Sequence, residues 1–194
     1  VGKKFMLIRL MTLFAIGITA CSSKDSVVKD NGVYKAMSVA STYKKEELEA
    51  VSPSNANEIT LQETVKKKSV INLTTKAFFN KQSASRMYER SLRVALIKNN
   101  DLKITYISFT EQSVTEEDIE LTYTGTLRFG EEAKDKLFLN GTMSLLKKDG
   151  IWKGNSDIYN SEDIYNMIDA PINNGESGTE NDLPVRQVNH VLGY

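Results

Sequence analysis

Ile119-Glu120-Leu121-Thr122-Tyr123-Thr124-Gly125-Thr126-Leu127-Arg128-Phe129, IELTYTGTLRF, is the stretch on which the fold turns. Ile119, Leu121, Tyr123, Gly125, Leu127 and Phe129 fall on one side of a period of two, and Glu120, Thr122, Thr124, Thr126 and Arg128 on the other. Only an extended strand with one buried and one wet face keeps that alternation for eleven residues. One such strand needs antiparallel neighbours and a cover for its apolar side.

The neighbours lie on either flank. Before it, Ile104, Tyr106 and Ser108 alternate with Thr105, Ile107 and Phe109, a strand apolar on both sides. After it, Leu137, Leu139, Gly141, Met143 and Leu145 share a face, with a bulge expected at Gly141 where Asn140-Gly141 interrupts the run. Lys148-Asp149-Gly150 then turns the chain into a fourth strand from Ile151 to about Tyr159, with Trp152, Gly154, Ser156 and Ile158 on one face and Lys153, Asn155 and Asp157 on the other.

The cover comes from upstream. Thr60-Leu61-Gln62-Glu63 is a capping-box pattern that opens a helix running to Asn80, and Ser83 or Ser85 can cap a second helix through Leu96. Ser161 to Ile168 can add a short helix before Pro171. The expected fold class is α+β, with N-terminal helices packed on a curved four-stranded antiparallel sheet.

The first twenty residues read differently. Lys3, Lys4 and Arg9 precede an uncharged run from Leu10 to Ala20, the order of a secretory signal. The run falls short of the ~20 residues that a spanning helix needs. Ile18-Thr19-Ala20-Cys21 resembles the lipobox of bacterial lipoproteins. That resemblance implies lipidation of Cys21, cleavage before it, and a protein held on the outer face of a cell membrane. The domains expected are a signal over 1–20, a flexible tether over 21–57 with at most a short helix around Thr42 to Ala50, a cone domain over 58–170 and a disordered tail over 171–194.

Charge and chemistry exclude more than they indicate. The 25 basic and 25 acidic side chains become 22 and 25 without the signal, a net charge of −3 with His neutral, so no direct binding of nucleic acid is expected. Lys66-Lys67-Lys68 spreads around a helix and reads as solvated surface. Cys21 is the only cysteine and His190 the only histidine, the latter in the expected tail, so neither a disulfide nor a metal site nor a cofactor is expected. Val185, Val188 and Val191 in the same tail could dock a partner, though an inert terminus fits them as well.

Helices followed by a curved sheet, with Asp149, Gly150, Trp152 and Lys153 at the last hairpin, resemble the nuclear transport factor 2-like fold over about Glu58 to Ile168. A small lipidated protein of this kind is similar in architecture to scaffold-type subunits of conjugative type IV secretion machines, the TraH-like transfer lipoproteins of Gram-positive plasmids. The resemblance implies a non-enzymatic interaction module whose partners are the membrane, other envelope or secretion-complex proteins, and optionally further copies of itself. Phe138 and Leu146, apolar on the wet face of the third strand, are the candidate partner contacts.

Two other readings stay open. Tyr106, Tyr123, Met143 and Trp152 could line a cone that binds a small apolar ligand, although such residues also simply fill a core. A surface exclusion or immunity lipoprotein would share the same anchor. Catalysis would need a titratable group on the helix-facing side, where only Tyr123 is expected. Asp157 is the next candidate, expected to face solvent.

Overall fold

The computed structural model describes residues 23–130, 136–162, 164 and 166. Four helices, α1 (Ser23–Leu48), α2 (Ala56–Val70), α3 (Lys76–Ala84) and α4 (Met87–Lys98), precede four strands, β1 (Leu102–Val114), β2 (Asp118–Phe129), β3 (Lys136–Lys148) and β4 (Ile151–Tyr159). The strands form one curved antiparallel sheet in the order β1-β2-β3-β4. The α+β class and the four-stranded sheet expected from the sequence are what the chain adopts.

β2 and β3 obey the twofold pattern. Ile119, Leu121, Tyr123, Leu127 and Phe129 of β2 are buried, as are Leu139, Met143 and Leu145 of β3. β2 and β3 stay in phase from Asp118↔Leu146 to Arg128↔Lys136, so β3 is one strand without a bulge at Gly141. Asp149 and Gly150, at φ 52° and 76°, form the tight β3–β4 turn that an Asp-Gly pair favours.

The outer strands slip. β1 changes register between Ile104 and Tyr106 and again between Glu111 and Ser113, and β4 does so opposite Ser144 and Leu145, leaving Asn155 as the extra residue. Each bulge exchanges the faces of the residues that follow it. Tyr106 is thereby turned outward, opposite Thr126, while Asp157 is turned inward, opposite Met143.

The largest correction lies upstream of the expected domain. Residues 23–48, assigned above to a tether, form helix α1, whose Ala36, Ala40, Tyr43 and Leu48 are buried in the core. Small alanines let the helix approach the sheet closely while contributing little to a hydrophobic pattern. The folded domain therefore begins well before 58. Among the described residues no helix is long and apolar enough to cross a membrane.

Helix ends follow local chemistry. α2 starts before Thr60, because the Asn55 side chain accepts from the Asn57 and Glu58 amides while Glu58 Oε2 accepts from the Ser54 amide. The helix expected to continue to Asn80 stops at Val70. Thr75 caps α3 separately, and the intervening loop adds to the β4 edge through Thr75 N–H to Gly154 O (2.8 Å) and Gly154 N–H to Leu73 O (2.8 Å). Ala50 and Leu102 exchange backbone bonds of 2.9 and 2.8 Å, which clips the α1–α2 connection to the start of β1. Neither serine caps α4. Its first turn follows Arg86, held at φ 55°.

Candidate functional site

The cone interior holds a polar cluster made by α1 and the inner face of the sheet. Lys44 Nζ lies 2.6 Å from Glu47 Oε2, one turn along α1, and 2.8 Å from Asp157 Oδ2 on β4. The Tyr123 hydroxyl donates to Asp157 Oδ1 at 2.8 Å, and the Tyr159 hydroxyl to Glu47 Oε1 at 3.2 Å. The ammonium also sits 3.8 Å from the Tyr159 ring centroid and 5.3 Å from that of Tyr123. All three charged side chains are sealed, at 0–1% exposure.

Glycine makes room for it. A Cβ on Gly141 would lie 2.7 Å from both Tyr123 Oη and Tyr159 Cβ, and 2.6 Å from Ile158 O. The two phenols can cross the strand there only because no side chain stands between them. Met143 fills the next gap, with its Cε 2.8 Å from where a Cβ on Gly154 would be.

Burial sets the protonation states. Desolvation pulls the Lys44 ammonium down, but Asp157 and Glu47 outweigh it and the net direction is up, so this lysine stays charged. Glu47 is pushed up by burial and by Asp157, which Lys44 only partly counters. Tyr123 and Tyr159 are raised, first by burial and then by the carboxylates, and remain protonated donors. A carboxylate in so dry a place has the environment of a general base, and here these groups are bonded to one another. The arrangement fastens α1 to β2 and β4.

A second buried cation finishes the same helix. Lys66 of α2 donates to the carbonyls of Glu46 (2.8 Å), Glu47 (3.2 Å) and Glu49, and Ser91 Oγ donates to Glu47 O at 3.0 Å. These oxygens end α1 and have no partner further along it. Burial brings Lys66 down to about 8 despite the acidic side chains nearby. Of the triplet read as solvated surface, Lys66 is thus buried. Lys67 pairs with Glu63 at 2.9 Å on the helix surface, and Lys68 is exposed.

The outer face of the sheet is the opposite environment. Phe138 is 70% exposed, Ile158 75% and Tyr106 58%, set among threonines of β1, β2 and β3. Of the two candidate partner contacts, Phe138 is therefore open while Leu146 is half-buried. Of the four candidate ligand-lining residues, Tyr106 points away from the interior. Tyr123, Met143 and Trp152 are packed in the core. Two clefts near the sheet, of about 690 and 200 Å³, are lined by other residues, the smaller by Phe78, Lys81 and Asn155 to Ile158.

Sequence reasoning placed Tyr123 inside and Asp157 outside, and it missed Lys44, Glu47, Lys66 and Tyr159. Ala36, Ala40, Tyr43 and Glu47 do recur at helical spacing, the one signal that could have found α1. Cys21, His190 and the tail valines lie outside the described residues. Among the described residues no acidic, histidine or cysteine group could hold a metal ion. No protein-family model matches the chain, and no curated protein sequence does.

Proposed function

We propose that the chain is a membrane-anchored, extracytoplasmic lipoprotein whose cone domain serves as a non-enzymatic scaffold or interaction subunit, with a conjugative type IV secretion machine as the assembly. The observation that carries the interaction reading is the contrast between the faces of the sheet. The interior packs apolar side chains around the paired Lys44, Glu47 and Asp157, whereas the outer face leaves Tyr106, Phe138 and Ile158 open to solvent. Exposed aromatic and aliphatic side chains on a polar face are characteristic anchors for a protein partner.

The anchor rests on the Ile18-Thr19-Ala20-Cys21 sequence. Acyl chains at ~0.8 kcal/mol per buried methylene hold a protein when two or more act together. A secretion scaffold must stay at the membrane while offering a surface outward, and this combination meets both needs. The reading of the cone as an apolar-ligand carrier has no comparable support, because Tyr123, Met143 and Trp152 contact their neighbours in a packed core.

The test is genetic and biochemical. In a donor cell lacking the chain, the wild type is expected to restore DNA transfer, and Cys21→Ser to lose membrane retention and transfer together. Phe138→Asp is expected to keep the protein at the membrane yet reduce transfer and crosslinking to neighbours. Unchanged processing of Cys21→Ser overturns the anchor; unchanged transfer in the deletion overturns the assembly.

A further inference from the structure

Lys44, Asp157 and Glu47 are placed as reactants as well as partners. Lys44 Nζ stands 2.8 Å from Asp157 Oδ2 and 2.6 Å from Glu47 Oε2, and all three side chains are sealed from solvent. The other Asp157 oxygen, Oδ1, accepts from the Tyr123 hydroxyl at 2.8 Å, and Glu47 Oε1 accepts from that of Tyr159 at 3.2 Å. An amine and a carboxyl group held in contact without water are the components of an amide. We propose that Lys44 and Asp157 condense within the folded chain to an isopeptide bond, Nζ to Cγ, with Glu47 as the proton carrier.

The step balances without a co-reactant. The Lys44 ammonium gives a proton to the Asp157 carboxylate, leaving an amine and an acid. Two charges in a dry interior lack the hydration that would keep them ionised in water, so this neutral pair is within reach of the ion pair. The amine attacks Cγ, the carbonyl electrons move onto Oδ1, and the Tyr123 phenol donates to the developing oxyanion. Glu47, pushed up by burial and by Asp157, relays a proton from the attacking nitrogen to the Oδ2 hydroxyl, which leaves as water. One ammonium and one carboxylate become one amide and one water, and Glu47 ends as it began.

The fold supplies the encounter. Groups aligned in this way react as if at about 10⁵ M or more. Lys66, the other buried lysine, has backbone carbonyls as its acceptors and so has no carboxyl group to condense with. The bond would join α1 to β4 across a separation of 113 residues, and a crosslink closing so long a loop restricts the unfolded chain. It stands apart from the scaffold reading, since the chain can bridge whatever it binds. Freshly folded, unbridged chain keeps the ion-paired cluster and is the reference for substitutions within it.

Mass spectrometry of the full chain, denatured at intervals after folding, reads the reaction. A species lighter by one water is expected to accumulate, and trypsin should then release 36–45 covalently joined to 154–186, with no cleavage after Lys44. Glu47→Gln, shown to be folded by thermal melting, should bridge at least about tenfold more slowly, and Lys44→Arg should give no joined peptide. The wild-type mass decides the matter even where a variant fails to fold. A wild-type chain that keeps its full mass after prolonged incubation overturns the bond. So does a water lost elsewhere, as an aspartimide at Asp149-Gly150 or a link from Lys44 to Glu47 that joins 36–45 to 46–66. A folded Glu47→Gln that bridges as fast as the wild type overturns the role of Glu47.

Discussion

The two faces of the sheet are built from the same strands and treat charge in opposite ways. On the inner face Lys44, Glu47 and Asp157 are locked together at 2.6 and 2.8 Å, out of reach of water. On the outer face Lys103, Arg128 and Lys136 stand side by side across one end of the sheet, and Tyr106, Phe138 and Ile158 lie open to solvent. Inside, Lys44 pairs with Glu47 and Asp157, and the result holds helix to sheet. Outside, aromatic and aliphatic side chains stand in solvent among polar and charged ones.

Removing one partner from the inner cluster tests the comparison hardest. Lys44→Met leaves two buried carboxylates without a cation and should cost about 3–5 kcal/mol, read by urea unfolding. Replacing all three groups together, by Lys44→Met with Glu47→Leu and Asp157→Leu, should recover most of that loss. A single substitution no worse than the triple one would show that the cluster is not closed.

Gly141→Ala comes next. Its Cβ would collide with Tyr123 Oη, Tyr159 Cβ and Ile158 O, so about 1–3 kcal/mol should be lost as the phenols are displaced. Thermal melting measures it, and near-ultraviolet circular dichroism should report the moved tyrosines.

Lys66 gives a pH signature. Its folded value is lowered to about 8, so above that pH the unfolded chain binds more protons than the folded one. Stability from this group therefore rises with pH between about 8 and the ordinary lysine value, by no more than about 1.4 kcal/mol per pH unit. The difference between wild type and Lys66→Met should grow across that window, followed by urea midpoints at several pH values. A constant difference would place Lys66 in contact with water.

The outer face should respond least. Phe138→Asp and Tyr106→Ser are expected to change stability by no more than about 0.5 kcal/mol, because neither side chain is buried. A large loss in either would mean that the face is covered within the single chain, and the contrast with the interior would disappear.

Much of the scaffold was legible from residue patterns. The alternation in β2 and β3 identified their buried faces, and Asp149-Gly150 identified the last turn. The candidate site was far less legible. Lys44 and Glu47 sit in a stretch whose core-facing positions include the small Ala36 and Ala40, and a polar helix stabilised by close packing shows little hydrophobic period. Asp157 was assigned to the wrong face because alternation was carried through Asn155, where the strand in fact inserts a residue. Tyr106 was misplaced for the same reason, at the slip beside Thr105.

By itself, the sequence determined where the central strands run and which side of each is apolar, since a period of two is a local property of extended backbone. Only the tertiary structure decided which charges would be buried together. Bulges in β1 and β4 arise from pairing with neighbouring strands, and α1 enters the core because Asp157, Tyr123 and Tyr159 meet its Lys44 and Glu47 across more than seventy residues of chain.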